Sequence, residues 1–285
     1  MKSSYIPIVL LALSGCSMKT IALRSTAGLL DEGVKAFYEE NDPVLAKEAM
    51  GSQLKLIDAL LKNEPKNTTL LAMGCEGYAG YSFLFLEDAQ PERAKNLYLR
   101  SRDYGLRLLS QKAKFAGLQD ADPAKAEAIL KAADKSDVRA LFWAAYGWSS
   151  WVNLSRDNPA AVADLPKTVL MMNRVLELEP GFYFSGADLF LGAYYASRPK
   201  MLGGDPKKAK EHFDAADKRN EGKFLMGSVL EAKYYAVAAQ DQELFKKLLQ
   251  GVQTSQAGVL PEARLDDEVA KQKAAVLLEK INDYF

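Results

Sequence analysis

The chain has 285 residues, with 37 basic and 37 acidic side chains, one histidine and two cysteines. A balanced charge leaves no electrostatic case for nucleic acid as a partner. One histidine and so few thiols leave almost nothing from which to build a zinc site of the usual ligand set, so neither metal nor cofactor is expected.

The chain opens on a short apolar run, "IPIVLLALSGCSMK", behind Met1-Lys2. Ile6 to Leu13 is too short to cross a bilayer as a helix, which needs about 20 apolar residues, and it fits an export signal. Leu13-Ser14-Gly15-Cys16 resembles a bacterial lipobox, where cleavage precedes the cysteine and its thiol takes up diacylglycerol. An ordinary cleaved signal with an incidental cysteine is the other reading. The expected organisation is therefore a signal over 1–15, a lipidated tether over 16–26 starting at Cys16, and one domain over 27–285. Ser17, rather than Asp, after the cysteine points to the periplasmic side of the outer membrane. Several acyl chains on one residue make a stable membrane anchor.

Beyond the leader nearly every segment is helical in pattern, with apolar residues recurring at three and four and no alternating strand-length run. Helices are predicted near 21–40, 43–63, 67–87, 91–112, 137–155, 160–179, 186–197, 206–219, 223–239, 242–253 and 266–284. Pro43, Pro91 and Pro206 stand at helix starts, where a missing N–H costs nothing. Asp42 and Asp205 precede two of them as N-caps, and Pro65 and Pro180 close preceding helices. Gly117 to Ser136 reads as a mobile connection with a short helix of its own.

The segments "LLKNEP" and "VLELEP", and "QPERAKNLY" and "DPKKAKEHF", repeat at a constant offset of 115 residues, which also relates Gly77 to Gly192 and Ala94 to Ala209. A duplicated unit is implied. Gly192 and Tyr195, with Ala209, Phe213 and Ala216, resemble the helix-A and helix-B positions of a tetratricopeptide repeat. The fold class expected is all-α, a superhelical stack of tetratricopeptide-like hairpins, which exposes a concave groove.

Three stretches concentrate aromatic residues. "FWAAYGWSSW" carries Trp143, Tyr146 and Trp151. "GYAGYSFLF" carries Tyr78 and Tyr81, and "FYFSGADLFLGAYYAS" carries Tyr194 and Tyr195. Two readings stand for each: packing between repeats, or the wall of a cavity for an apolar ligand. Glycines inside these helices weaken them by about 1 kcal/mol each. That calls for a reason, either close helix contact or space left beside an aromatic wall. In "YLRSRDYG", Arg100 and Asp103 can pair at i, i+3, or Arg100, Arg102 and Asp103 can frame a polar mouth for a carboxylate. Gly203-Gly204 lacks the spacing of a phosphate loop and reads as a flexible hairpin turn. Cys75 reads as a buried small hydrophobe. His212 sits on a charged helix face, with no partner pattern for nucleophilic catalysis.

In this order the lipobox, "YLRSRDYGLRLL", "ALFWAAYGWSSWVNLSRDNPAAVADLPK", "VLELEPGF" and "LLEKINDYF" resemble the T component associated with tripartite ATP-independent periplasmic (TRAP) transporters. The resemblance runs from about Ala27 to Phe285. It implies a periplasmic lipoprotein of cryptic tetratricopeptide-like repeats, a homotrimer with a cavity or channel in each protomer, and a TRAP solute-binding protein as partner. It also implies an apolar or carboxylate-bearing ligand. The expected function is a non-enzymatic accessory of ligand uptake. A general periplasmic scaffold for envelope assembly is the alternative, and an enzyme would need a titratable cluster that the spacing of the carboxylates does not supply.

Overall fold

Capped, amphipathic segments set the architecture. The structure, a computed structural model, describes residues 18–285; the signal and Cys16 lie outside the described residues. Among the described residues there is no strand, and no helix is long and apolar enough to cross a membrane. The helices are α1 (Met18–Tyr38), α2 (Pro43–Asn63), α3 (Thr68–Phe85), α4 (Pro91–Leu109), α5 (Pro123–Leu130), α6 (Val138–Asn153), α7 (Pro159–Ala163), α8 (Leu165–Leu178), α9 (Phe182–Ala196), α10 (Pro206–Asn220), α11 (Leu225–Leu230), α12 (Gln242–Thr254) and α13 (Arg264–Glu279).

The start signals behave as local chemistry requires. Asp42 accepts from the backbone of Val44 and Leu45, and Asp205 from that of Lys207 and Lys208, each ahead of a proline at the first helical position. Residues 18–26, expected to be a tether, form the first turns of α1, in keeping with a stretch that contains no Pro and no Gly. The helix expected over 160–179 is divided into α7 and α8, with Pro166 in the first turn of α8. The helix expected to run to 284 ends at Glu279 and gives way to a 3₁₀ turn.

The segment over 117–136, expected as a mobile connection with a short helix of its own, carries that helix as α5, but it is packed into the body rather than loose. Phe115, Leu118, Ala126 and Leu130 are buried in the central core. Asp122 caps α5 through the Lys125 N–H. Arg174 donates to the carbonyls of Lys131 and Ala133, and Lys167 to that of Gln119. Apolar spacing too sparse to announce a long helix still suffices when each apolar residue finds the face of α8.

Helices near in sequence pack as neighbours: α3 on α4, α4 on α6, α6 on α8, α9 on α10 and α12 on α13. Three contiguous apolar cores result, one under α1–α4, one around α6, α8 and α9, and one under α9–α13. The α4–α6 contact is the tightest. A β-carbon on Gly105 would stand 2.5 Å from Ala144 Cβ, and one on Gly147 would stand 2.3 Å from Ser101 Oγ. Residues related by the 115-residue offset take matching places: Pro91 and Pro206 open α4 and α10, and Ala94, Tyr98, Ala209 and Phe213 are all buried. Arg139 ties α1 to the body, reaching both carboxylate oxygens of Asp31 and, through Nε, Glu76 at 2.8 Å.

Two irregular segments flank the middle of the molecule. Tyr183, Phe184 and Ser185 all have left-handed backbone, with φ of 45°, 53° and 62°. Each such non-glycine residue costs about 1–2 kcal/mol. The turn is held by Asn220, which donates to the Phe184 carbonyl at 2.7 Å, and by Arg219, which bridges Ser185 Oγ and Asp188. The Phe184 ring also stacks on Phe224, 4.6 Å between centroids. Regular helix resumes at Gly186. Following α11, Glu231–Ala236 is wound as a π-helix, a geometry that re-aims side chains and recurs at functional sites.

Candidate functional site: an aromatic cavity with a cationic mouth

α3, α6, α9, α11 and α13 enclose a cavity of about 380 Å³. The helical period decides who lines it. On α6, Phe142, Tyr146, Ser149 and Asn153 recur at four, three and four; on α9, Gly186, Phe190 and Ala193 recur at four and three, with Tyr194 beside them, Tyr183 from the left-handed turn before them and Ser197 from the cap after them. The π-turn brings Lys233 and Tyr234 to the same wall as Met226 and Leu230.

The wall is a connected set of rings. Trp143 packs edge-on to Tyr183 at 4.7 Å and to Phe142 at 4.9 Å, Phe142 stacks along Tyr146 at 6.1 Å, and Phe83 meets Tyr146 edge-on at 5.8 Å. Such offset and edge contacts hold the rings in place and present an apolar lining. Two glycines serve opposite purposes. A β-carbon on Gly186 would lie 2.6 Å from Phe142 Cζ, so this glycine exists to admit a ring against α9. A β-carbon on Gly80 would meet nothing within 4 Å. Gly80 and Tyr183 also border a small second cavity of about 40 Å³ between α1, α2 and α3, so Gly80 keeps open the space where the two approach.

Charge is unevenly placed around this cavity. Arg156, exposed, and Arg198, half-buried, stand at its solvent end. Among the described residues neither has a carboxylate within ion-pair reach. Arg198 stacks over Tyr194, 4.3 Å from guanidinium carbon to ring centre, and uses only Nη1, toward the Tyr194 carbonyl and Ser197 Oγ at 3.3 Å. Burial and the neighbouring Arg156 lower its pKa, so the charged form lacks the counter-ion it needs. Lys233 is different. Burial disfavours its charge, but Tyr234, Glu87 at 3.9 Å and Asp88 at 2.8 Å together outweigh that and raise its pKa. Burial disfavours the Asp88 carboxylate, yet Lys233 and Lys273 hold its pKa at about 2. The unmatched cations are thus the two arginines.

At the buried end lies Asp266, with no exposed surface. Tyr183 donates to its Oδ1 at 3.0 Å. Its Oδ2 is buried and has no hydrogen-bond partner. Burial, with help from Asp267, lifts its pKa to about 7.

Of the residues singled out in the sequence, Trp143, Tyr146 and Tyr194 line the cavity, and Tyr78, Tyr81, Trp151 and Tyr195 do not. Tyr78 and Tyr104 both donate to Asp58, at 2.8 and 2.7 Å, bracing α2 against α3 and α4. Tyr81 packs on Phe85, and Trp151 lies under the Arg102 guanidinium at 4.6 Å. Tyr195 stacks on His212, whose Nδ1 is 2.8 Å from Asp188. Arg100, Arg102 and Asp103 do not frame the mouth. Asp103 pairs with adjacent Arg102 at 2.8 Å, while Arg100 leans toward Asp58 at 3.7 Å, because the i, i+3 partner must compete with closer donors. Cys75 is buried beside Ser101, its thiol pushed up to about 12 by burial. Sequence reasoning missed Arg156, Arg198, Lys233 and Asp266. Arg198 alone carried a signal, a cation immediately behind an aromatic helix face in "AYYASR".

The fold is all-helical and holds an aromatic-lined cavity with two arginines at its entrance. Residues 39–285 match the TRAP transporter T-component family, and the chain belongs to that family. It is accordingly an accessory component of a TRAP transport system, a non-enzymatic role. A protein of Treponema pallidum (strain Nichols), described as uncharacterized, is 27% identical over a 236-residue alignment that takes in 70% of this chain and 72% of the relative.

Proposed function

We propose that the protein is a periplasmic lipoprotein, anchored through Cys16 to the outer membrane, that receives an apolar carboxylate and works with the solute-binding protein of a TRAP transporter. The cavity carries this reading. It offers an aromatic lining for a hydrocarbon chain and, at its mouth, Arg198 with Nε and Nη2 unused by the described residues. A guanidinium in that state recognises carboxylate through two parallel hydrogen bonds. Family membership supplies the transport system, and a stack of tetratricopeptide-like hairpins assembled as a homotrimer is the architecture we propose for it.

The partner contact we propose is the knuckle beside the mouth. Met201 is 88% and Leu202 65% exposed, in the turn that follows Arg198. Large apolar side chains presented on a turn next to a ligand entrance suit a protein that must hand the ligand over. Affinity capture from detergent-free periplasm, with residues 1–16 replaced by a cleavable export signal that lacks a lipobox, tests the reading. Recovery of a TRAP solute-binding protein supports it. Recovery of envelope-assembly proteins alone would replace it with the scaffold reading.

A further inference from the structure

We infer that the cavity takes a ligand with two polar ends, a carboxylate at the arginine mouth and a hydroxyl at the buried end, received by Asp266. This rests on the reading of the cavity as the binding site for an apolar carboxylate, and adds the chemistry of the ligand's far end.

Three observations carry it. Asp266 borders the cavity and has no exposed surface. One of its oxygens is bonded by Tyr183 and the other by nothing, in a molecule where buried side-chain oxygens without partners are few. A buried acceptor left unpaired costs about 1–3 kcal/mol, and a group carrying that cost beside a cavity is satisfied most simply by what enters the cavity. The second observation is backbone strain. Tyr183 reaches Asp266 from a run of three left-handed residues, fixed from α10 by Arg219 and Asn220. The cost of that turn fixes one carboxylate oxygen and leaves the other. The third is contrast. Asp267, next in the chain, has both oxygens occupied by backbone N–H groups, those of Leu225 at 2.9 Å and Gly258 at 3.0 Å. Asp267 ties down loops as buried aspartates commonly do, whereas Asp266 is only half used. A hydroxyl suits it better than an ammonium. Burial lifts its pKa to about 7 and no cation among the described residues pairs with it; a hydroxyl donates to Oδ2 when the carboxyl is ionised and accepts from it when it is protonated, and needs no countercharge in either state.

Calorimetric titration of the full mature chain with laurate and with ω-hydroxylaurate tests this. The expected result is binding of both, with the hydroxylated acid about 10-fold tighter, the factor for one hydrogen bond to a buried acceptor. In Asp266→Leu the ratio of the two affinities falls to about one. Equal affinities in the natural protein, or a preference that survives Asp266→Leu, overturn the inference while leaving the carboxylate cavity standing. Binding of neither acid overturns both. A readout without substitution uses the infrared difference spectrum of protein labelled at aspartate carboxyl carbons. ω-Hydroxylaurate shifts a carboxyl band that laurate leaves in place, and identical spectra for the two acids would sink the proposal.

Discussion

Gly204 lies so close beneath the carbonyl of Arg198 that a β-carbon on it would stand 1.8 Å from that oxygen. The turn between them is closed by the Gly204 N–H on the Pro199 carbonyl at 3.1 Å, by the Gly203 N–H on that of Lys200, and by the Asp205 N–H on that of Tyr195. The pair of glycines expected to make a flexible turn makes a tight one, and its effect is to set Arg198 over Tyr194 at the mouth. Gly204→Ala must open the turn. We expect a loss of roughly 1–3 kcal/mol of stability together with weaker carboxylate binding. Gly203→Asn is the milder change: its β-carbon would stand 3.3 Å from Tyr194 Oη, at a φ of 87° that asparagine adopts with less strain than most residues. Thermal unfolding and laurate titration on the same samples check both effects.

Arg198→Gln keeps a stem and a polar head but removes the charge and the fork. Hydrogen bonds to a charged group are worth about 1.5–3 kcal/mol, so laurate affinity falls roughly 10- to 100-fold. The methyl ester of laurate, which has no carboxylate, shows little change. Isothermal titration of both ligands separates this outcome from general damage to the pocket.

Gly80→Leu tests whether the open space is used. Its side chain enters the cavity from a position where a β-carbon meets nothing, and replacing glycine inside α3 gains helix propensity, about 0.8–1 kcal/mol on the host scale. Thermal stability therefore holds or rises while laurate binding is lost. A glycine kept only for helix contact would give the reverse, a lower Tm and unchanged binding.

Met201→Glu combined with Leu202→Glu places two charges on the knuckle without touching the cavity wall. A complex seated there weakens by more than about 10-fold, the scale of a lost interface anchor. Surface plasmon resonance against the co-purified solute-binding protein reads it.

Asp266 also leaves a mark on stability. Its pKa rises from 3.8 to about 7 on folding, so between those values the folded chain holds a proton that the unfolded chain has released. Stability from this group is fully present below the unfolded value and is lost as pH rises through the folded one. The loss is on the order of a few kcal/mol by pH 8. Asp88, held at about 2, acts in the opposite sense, with its contribution lost only as pH falls below its unfolded value of 3.8, so the two windows do not overlap. Asp266→Asn removes the decline between about pH 4 and 7. Urea midpoints across that range, compared between the two proteins, report it.

Much of the fold was legible because its signals are local. Asp42 and Asp205 cap helices through their own next turns, Pro91 and Pro206 open helices for lack of an N–H, and the four–three spacing on α6 puts Phe142 and Tyr146 on one face whatever surrounds them. The parts that were not legible depend on distant partners. Nothing near Tyr183 announces three left-handed residues, because what stabilises them is Arg219 and Asn220 on another helix. The π-turn that presents Lys233 and Tyr234 has no composition of its own. Tyr78 and Trp143 look alike in sequence, and only the position of Asp58 turns the first into a brace. Arg100 and Arg198 differ in the same way. One has Asp58 to lean on, and the other, at the mouth, has no carboxylate among the described residues.

A ligand held in the cavity and a transporter partner outside it are the two features that most need direct measurement. Native mass spectrometry of the protein exported on a cleavable signal without a lipobox in place of residues 1–16, drawn from its own periplasm without detergent, measures both at once. We predict a complex with a TRAP solute-binding protein, and protomers carrying an added mass that dissociates as an organic acid and is absent from Gly80→Leu. Protomers at their bare sequence mass, recovered with no solute-binding protein, would contradict the account.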